Sequence, residues 1–394
     1  MGDRMSTINV NAIDKESGST LTLGGAGTTL NVNNMVPDVS LSNRNLIING
    51  AMNVAQRGTS FTGIGGSAGT YSCDRWRHGF TATTARVTLS QDSNAPNGFA
   101  KSFKVAVTTA EASLNAASGC GISQPIEGQN LQQLAKGTAD AKQVTVSFWV
   151  KTNKTGTYQF EFQDADNARN QVLSYTVNSA DTWEYKTVTF DADTTGAFDN
   201  DNGASAYLQW FLFGGTNYTS GTVQSTWGSR SNANLMSPSM PNLADSTSNY
   251  WKITGVQLEV GSVATPFEHE SFGQTMAKCQ RYYEKSYKYS VAPATATDAG
   301  MMSSYYSGAT GTNHAFTIYF KQNKRTAPTM SGWDGSGNAS KCSYWTAGNS
   351  RVDNPSQSSY SFPRSGESSV MFNISDLNTT ARQFGTHWAA DAEL

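Results

Sequence analysis

Aspartates are the residues whose types and spacing come closest to a chemical site. The clustered aspartates stand in two segments, "FQDADN" and "FDADTTGAFDNDNG", and they are Asp164, Asp166, Asp191, Asp193, Asp199 and Asp201. Two carboxylates about 5–10 Å apart across a cleft would hydrolyse a glycosidic bond, and clustered oxygen ligands would hold calcium. Both segments have the Asp, Asn and Gly composition of turns, in which these side chains bond to the backbone. We interpret them as structural turns, and a calcium site at Asp199 and Asp201 is the alternative.

The other catalytic patterns are missing from the sequence. The histidines are His78, His269, His314 and His387, and none belongs to an HExxH motif. No serine stands in a GxSxG elbow, and the Gly-rich segments "GGAGTT" and "GIGGSAG" lack the lysine of a phosphate loop. The sequence therefore predicts that the chain is not an enzyme and needs no cofactor other than the alternative calcium ion.

Aromatic residues among polar neighbours are the candidates for ligand binding. Sugar rings stack on such side chains, while Asn, Asp and Gln bond to the sugar hydroxyls. We predict glycan contacts for Trp149, Trp183, Trp227, Trp333, Tyr344 and Trp345. Tyr207, Trp210 and Tyr218 lie in or near similar segments. The alternative for each of them is packing in a core or at a subunit interface.

Composition and charge limit the class of protein. Of the 394 residues only 15% are charged and 11% are aromatic, and Gly, Ser, Thr and Asn are abundant, which is typical of an all-β chain with many turns. The net charge of −2 gives no electrostatic basis for binding nucleic acid or an anionic membrane. No apolar run approaches the ~20 residues of a membrane span. The cysteines, Cys73, Cys120, Cys279 and Cys342, are far apart and are predicted to be buried free thiols.

Alternating patterns predict antiparallel strands. "VTVSFWVKT" and "TYQFEFQ" alternate apolar and polar residues, whereas "AYLQWFLFGG" is apolar at nearly every position, which indicates a central strand covered on both faces. In the segment 251–260, Trp251 and Ile253 have one parity and Val256 and Leu258 the other. A β-bulge at Thr254-Gly255 would turn both sets inward.

A short amphipathic helix is expected after this strand. Ser271 and Gln274 form a capping box, and Phe272, Met276, Cys279 and Tyr283 follow at helical spacing. We predict a connecting helix over 270–284 whose Phe272, Met276 and Tyr283 contribute to oligomerisation. The predicted order is an extended arm over 1–45, a β-sandwich over 46–269, the helix, and a smaller C-terminal β-sandwich over 285–394.

Several blocks of the sequence resemble a family of bacteriophage virion proteins, chiefly tail fibres and related surface proteins of marine and cyanobacterial phages. They are "NLIINGAMNVAQRGTSF", "CDRW", "VTVSFWVK", "DTWEYKTVTFDADTTGAFDNDNG" and "ITGVQLEVGSVATPFEHESFGQTMAKCQRYYEKSY", and together they span roughly 45 to 290. The resemblance implies that the sandwich is a jelly roll similar to carbohydrate-binding modules. It also implies a homotrimeric fibre whose N-terminal arm attaches to other tail or capsid proteins.

These expectations combine into one functional hypothesis. The chain is a non-enzymatic virion protein, made in the host cytoplasm, that forms a homotrimeric tail fibre and attaches the phage to cell-surface polysaccharide through a distal C-terminal sandwich. A capsid-decorating or tail-accessory protein without glycan affinity is the alternative. A polysaccharide-degrading tailspike is less favoured, because no long β-helix repeat is visible. No nucleic-acid partner and no membrane insertion are expected.

Overall fold

A computed structural model describes residues 43–66, 69–305, 314–346, 350–353, 360–374 and 381–394. The predicted N-terminal arm, apart from its last residues, lies outside the described residues. The fold is all-β, as the sequence predicts, and residues 42–394 form one compact unit.

Six antiparallel strands form the first sheet. In spatial order they are β1 (Ser60–Ile64), β3 (Arg86–Asp92), β4 (Ser102–Thr109), β12 (Tyr250–Val260), β6 (Val144–Thr152) and β9 (Glu184–Phe190). Alternation places Phe148 and Val150 of β6 in the core and leaves Trp149 on the outer face. The first sheet is therefore apolar on one face only.

Six further antiparallel strands form the second sheet. Their spatial order is β11 (Gly228–Ser229), β8 (Arg169–Val177), β7 (Gly156–Asp164), β10 (Ala204–Gly214), β5 (Gly119–Glu127) and β2 (Arg77–Thr81). The inner faces of the two sheets share one core, whose largest fully buried side chains include Trp76, Phe103, Phe148, Phe160, Trp210 and Trp251. Complete burial of a phenylalanine side chain contributes roughly 1.5–3 kcal/mol. This shared core makes the two sheets a sandwich.

The predicted β-bulge is confirmed. The pairing of β12 with β6 shifts register between Thr254 and Gln257, and Gly255 has a φ of 62°. Trp251, Ile253, Val256 and Leu258 are all 0% exposed, so both parities do face inward. A Cβ at Gly255 would lie 2.6 Å from the ring of Phe99, so only glycine fits this position without a shift.

Two smaller sheets follow along the chain. The first contains β13 (Tyr283–Lys285), β14 (Met302–Tyr305), β16 (Thr329–Trp333), β17 (Ser343–Thr346), β18 (Arg351–Asp353) and β21 (Ala381–Asp391). The second contains β15 (His314–Tyr319), β19 (Tyr360–Ser361) and β20 (Ser369–Ile374). They share a second core that includes Phe372, Phe384 and Trp388. The predicted boundaries at 46, 270 and 285 stay a prediction.

Helices are short in the described chain. They are α1 (Thr216–Thr219), α2 (Phe272–Gln280), and 3-10 turns at Gly128–Asn130, Gln132–Leu134, Asn232–Asn234 and Leu243–Asp245. The capping box of Ser271 and Gln274 is confirmed at the start of α2. The helix ends four residues earlier than predicted, because the chain turns into β13 and pairs with β21. No described helix is long and apolar enough to cross a membrane.

A cluster of buried charges joins the C-terminal segment to the sandwich; we call it the junction. Arg75 is 1% exposed and has a φ of 73°, and its guanidinium pairs with the carboxylate of Glu393. The same guanidinium donates to the carbonyl oxygen of Pro125 at 2.7 Å and lies 3.5 Å from the ring centroid of Tyr282. Glu393 also pairs with Arg57 at 3.3 Å. The blocks "CDRW" and "QRYYEK" thus meet at one buried site.

Replacing Glu393 by Gln tests the junction. The guanidinium of Arg75 would stay buried without its counter-charge, so we expect the free energy of unfolding to fall by about 3–5 kcal/mol in urea denaturation. Asp391→Asn is the control, because the Asp391 side chain is 44% exposed and its ion pair with Arg57 is expected to contribute less than about 1 kcal/mol. Equal losses in the two variants would contradict this role for the buried pair.

Candidate functional site

A cleft of about 350 Å³ opens on the outer face of the second sheet. Its floor belongs to β2, β5, β10 and β7, and its opposite wall is the segment 215–236, which contains α1. The lining residues are Arg77, Gly79, Thr81, Gly119, Cys120, Gly121, Ser123, Gln163, Tyr207, Gln209, Phe211, Tyr218, Arg230, Leu235 and Met236.

The pairing of neighbouring strands arranges the residues of the cleft floor in rows, and the rows differ in the chemical type of their side chains. Tyr207 is paired with Gln163 across β10 and β7, and in the next row Gln209 is paired with Ser123, which is paired with Arg77. These two rows present one aromatic ring, two amides, a hydroxyl and a guanidinium. Such groups supply both a stacking face and hydrogen bonds to a polar ligand.

The next row of the floor has no side chains over two neighbouring strands. Gly79 of β2 is paired with Gly121 of β5. No heavy atom lies within 4 Å of an ideal Cβ built at Gly79, so the space above it is open. A Cβ at Gly121 would lie only 2.6 Å from Nε2 of Gln209. The space above Gly121 is therefore occupied by the Gln209 side chain, and the open recess, where a ligand could approach the backbone closely, lies at Gly79.

Tyr218 closes the far end of the cleft. Its hydroxyl lies 3.0 Å from Oγ1 of Thr81, and its carbonyl oxygen accepts a hydrogen bond from the amide of Met236 at 3.0 Å. Met236 and Leu235 belong to a small apolar cluster with Phe211 and Val172 on the outer face of the sheet. This cluster covers the outer face of β10 only around Phe211, whereas Tyr207 and Gln209 on the same face line the cleft, so β10 is covered on both faces over only part of its length. The cluster also packs against the segment 215–236.

Glu111 fixes the two chain segments that lead into this end of the cleft. Its carboxylate accepts hydrogen bonds from the hydroxyls of Thr83 and Ser118 and from the amides of Thr84 and Ala85. Burial acts to raise the pKa of Glu111, but these hydrogen bonds outweigh it and hold the pKa at about 2. The carboxylate is therefore ionised at neutral pH and acts as a structural anchor.

Arg230 forms the wall opposite β2 and is held by a buried carboxylate. Its Nε and Nη2 atoms lie 2.7 and 3.2 Å from the two carboxylate oxygens of Glu161, which is fully buried. Nδ2 of Asn170 donates to the same carboxylate at 2.8 Å. This two-pronged geometry fixes the guanidinium plane at the edge of the cleft.

The structure places the aromatic residues predicted to contact glycans outside this cleft. Trp149 lies half-buried on the outer face of the first sheet, 5.3 Å from the ring of Tyr185. Trp183 is half-buried just before β9, and no described residue accepts a hydrogen bond from its buried indole N–H. Trp227 donates its indole N–H to the carbonyl oxygen of Asp191 at 2.7 Å and packs on Phe162. Trp227 is therefore packed and hydrogen-bonded within the chain, and Trp149 and Trp183 lie on other surfaces of the protein.

The C-terminal candidates have different environments. Trp333 lines a separate depression of about 320 Å³ between β16 and β19, and Trp345 is half-buried on β17. Tyr344 is 7% exposed and belongs to the second core, which corrects its predicted position on a binding surface.

Tyr207 and Tyr218 are the aromatic candidates from the sequence that do line the cleft. Arg77, Gln163 and Gln209 were not identified from the sequence. The alternation of Gly119 and Gly121 in β5 is a signal that would have pointed here, because glycine within a strand marks a close approach of backbone or ligand.

The aspartate segments are held by a lysine. Nζ of Lys136 lies 2.5 Å from Oδ2 of Asp164 and 3.0 Å from Oδ2 of Asp193, and it donates to the carbonyl oxygens of Thr195 and Gly196 at 2.8 and 2.7 Å. This oxygen cage already contains a cation. The turn interpretation therefore has a physical basis: the carboxylates neutralise a buried ammonium group.

The residues proposed for calcium lie in exposed turns. The backbone amide of Asp199 donates to Asp166, and Oδ1 of Asp201 accepts the amide of Gly203 at 2.8 Å. Among the described residues no group of three or more His, Cys, Asp or Glu side chains is arranged to hold a metal ion. The calcium site at Asp199 and Asp201 stays a prediction.

The residues predicted for oligomerisation separate in the structure. Phe272 is 49% exposed and contacts the ring of Tyr289, and Met276 is half-buried on α2. Tyr283 lies in β13, is 4% exposed, and is covered by the guanidinium of Arg57 at 3.6 Å from its ring centroid. Tyr283 is thus buried within the chain, and the predicted oligomerisation role of Phe272, Met276 and Tyr283 stays a prediction.

The predicted buried thiols are confirmed, since all four cysteines are free and buried. Burial raises the pKa of each of them, as for Cys342, which is raised to about 12. None of these thiols is therefore an activated nucleophile.

Comparisons with known proteins give weak likenesses only. No family model matches the sequence, and no curated protein matches it. The enzymatically active domain of tailspike protein 4 of bacteriophage CBA120 is similar over 55% of this chain and 21% of its own, with 15% identity and a TM-score of 0.31. The family 11 carbohydrate-binding module of Clostridium thermocellum, solved with a β-1,3-1,4-mixed-linked tetrasaccharide, is similar over 53% of this chain and 99% of its own, with 9% identity and a TM-score of 0.26. These values are too low to assign a family, a ligand or an activity.

Lys136→Ala tests whether an ammonium group, rather than calcium, stabilises the aspartate turns. The variant leaves the buried carboxylate of Asp164 without its cation, while Asp193 keeps its ion pair with Arg169, so we expect the free energy of unfolding to fall by about 3 kcal/mol or more. Lys142→Ala, at an exposed lysine nearby, should leave it unchanged. We expect EDTA and added calcium to leave the melting temperature of the unmodified protein unchanged. A melting temperature that falls with EDTA would contradict this and favour the calcium site.

Proposed function

We propose that the cleft of the second sheet binds glycan, and that the chain is a non-enzymatic virion protein that attaches a phage to cell-surface polysaccharide. The observation that carries this proposal is the combination of a glycine-floored recess with tyrosines at both ends and amide groups between them. Tyr207 and Tyr218 supply faces on which a sugar ring stacks, and Gln163 and Gln209 supply donors and acceptors for its hydroxyls.

The dimensions of the floor fit an oligosaccharide. Arg77, Gly79 and Thr81 point to the same side of β2 and span four residue steps, or about 13 Å. A polymer segment of a few sugar rings would lie over Gly79 with its edges against the amides of Gln163 and Gln209.

Binding without hydrolysis is supported by the chemistry of the lining. Among the described residues that line the cleft there is no Asp, Glu or His. Glycoside hydrolysis normally requires an acid and a second carboxylate at the scissile bond. The carboxylate of Glu161, which pairs with the lining residue Arg230, is fully buried. A polysaccharide-degrading activity in this cleft is therefore not proposed.

The virion context and the trimer rest on the sequence blocks that resemble phage tail fibres. A trimer would present three clefts on one fibre, and simultaneous contacts raise the overall strength of attachment without new chemistry. The exposed ring of Phe272 and the half-buried Met276 on α2 are available for contacts between copies. The alternative, a capsid-decorating protein, would have the same fold, but its function would not require the cleft.

Gly79→Phe tests the glycan-binding proposal. A Cβ at Gly79 has no heavy atom within 4 Å, so we expect the new ring to enter the open recess and the fold to be retained, while binding to an array of bacterial surface polysaccharides falls at least about tenfold. Gly273→Phe is the matched control, since a Cβ at Gly273 also meets no atom and lies outside the cleft. Unchanged binding by Gly79→Phe would place the ligand elsewhere, and absence of binding by the unmodified protein would refute the proposal.

Light scattering of the full chain tests the oligomeric state. We expect the mass of three chains at micromolar concentration. A second measurement on a chain that begins at Asn43 assigns assembly to the described part if it is still trimeric, and to the preceding residues if the trimer is lost. A monomeric full chain would contradict the trimeric fibre.

A further inference from the structure

The far end of the cleft is a row of the second sheet in which two of the three residues are glycines. Gly214 of β10 is paired with Gly119 of β5, which is paired with Thr81 of β2. The side chain of Tyr218 lies over this row. An ideal Cβ built at Gly214 would be 3.3 Å from the Cβ of Tyr218, and one built at Gly119 would be 3.0 Å from its ring. The two glycines therefore leave the room that this side chain occupies.

Tyr218 crosses the width of the cleft floor at this row. Its Cβ lies over β10, its ring lies over β5, and its hydroxyl is 3.0 Å from Oγ1 of Thr81 on β2. In the described chain β2 is the last strand on this side of the second sheet. The side chain thus runs from the segment 215–236 to the edge of the sheet. We call the Tyr218 side chain, with its hydrogen bond to Thr81, the bar.

Main-chain hydrogen bonds hold the bar in place. The amide of Tyr218 donates to the carbonyl oxygen of Gly215 at 2.9 Å, and the amide of Met236 donates to the carbonyl oxygen of Tyr218 at 3.0 Å. The amide of Gly215 donates to the carbonyl oxygen of Ser118 at 2.7 Å, and the hydroxyl of Ser118 donates to the anchoring carboxylate of Glu111. The bar is therefore fixed both at its main-chain end and at its hydroxyl end.

A second side of the cleft is closed next to the bar. Arg230, Leu235 and Met236 of the segment 215–236 line the side opposite β2, and the guanidinium of Arg230 is fixed by the buried carboxylate of Glu161. Tyr218 belongs to the same segment. The floor, this wall and the bar therefore meet in a corner, and a polymer that runs along the strands toward the bar cannot continue past it.

We propose that the cleft recognises the end of a glycan chain rather than an internal segment, with the terminal sugar ring against Tyr218. This inference rests on the proposed function and names the part of the glycan that binds. The open recess at Gly79 lies two residues, or about 7 Å, before Thr81 along β2. The terminal ring would occupy this recess, and the following rings would extend toward Tyr207 and Gln163. A further sugar beyond the terminal ring would overlap with the bar.

The first test counts the clefts that bind to one polysaccharide chain. The probe is the unbranched bacterial surface polysaccharide that binds best in the array described above, separated by chain length without cleavage, so that all fractions have the same ends. Calorimetric titration with the full chain gives the binding ratio. We expect one cleft per polysaccharide chain at every length, because a longer chain adds no ends. A ratio that rises with length would overturn the inference and leave the proposed function intact, whereas no binding at all would overturn both.

Changes at the ends of the same polysaccharide identify which end is bound. Borohydride opens the sugar ring at the reducing end, and an exoglycosidase removes the sugar at the other end. Loss of binding after one of these treatments, but not after the other, supports the inference and assigns the end. Binding that survives both treatments would overturn it.

The second test removes the bar. Tyr218→Ala should lose about tenfold in affinity, since a stacking face is lost, and its ratio of clefts per chain should now rise with chain length. Tyr207→Ala is the matched control, because it loses a stacking face but keeps the bar. It should lose a similar factor in affinity and keep a ratio of one. A ratio of one in both folded variants would overturn the role of Tyr218, and the ratio of the unmodified protein decides if Tyr218→Ala does not fold.

Discussion

The buried pairing of Arg75 with Glu393 is the interaction on which the arrangement of the described chain depends. It brings the last residues of the chain against the sandwich, where Arg57 and Tyr282 complete the junction. Buried ion pairs of this kind cost desolvation energy and contribute little net stability, but removing one partner is strongly unfavourable. The junction therefore specifies how the C-terminal sheets sit on the sandwich.

The junction and the cleft share the same short stretch of chain. Arg75 anchors the C-terminal segment, Trp76 packs in the core 5.7 Å from Trp210, and Arg77 lines the cleft. The guanidinium of Arg75 also bonds to the carbonyl oxygen of Pro125 in β5, the strand next to β2. A rigid edge at β2 and β5 keeps the recess open without a ligand, and a preformed site loses less entropy on binding.

Structural features that depend on neighbouring residues were predictable from the sequence, and the pairing of strands that are distant in the sequence was not. The bulge at Gly255 and the capping box at Ser271 depend on neighbouring residues, so parity and spacing predicted both. Tyr283 fitted a helical stripe, yet pairing with a strand about a hundred residues later placed it in β13. The cleft was not predicted from the sequence for the same reason. Arg77 and Gln209 come together only through the strand order of the second sheet, which no local pattern encodes.

The most direct measurement of the central claim is hydrogen–deuterium exchange of the full chain with and without a bound polysaccharide. The account predicts slower amide exchange in β2, in β5 and in the segment 215–236, which surround the cleft. The rest of the sandwich should change little. Slower exchange confined to the depression near Trp333, with none in β2, would contradict the account and place the glycan on the C-terminal sheets.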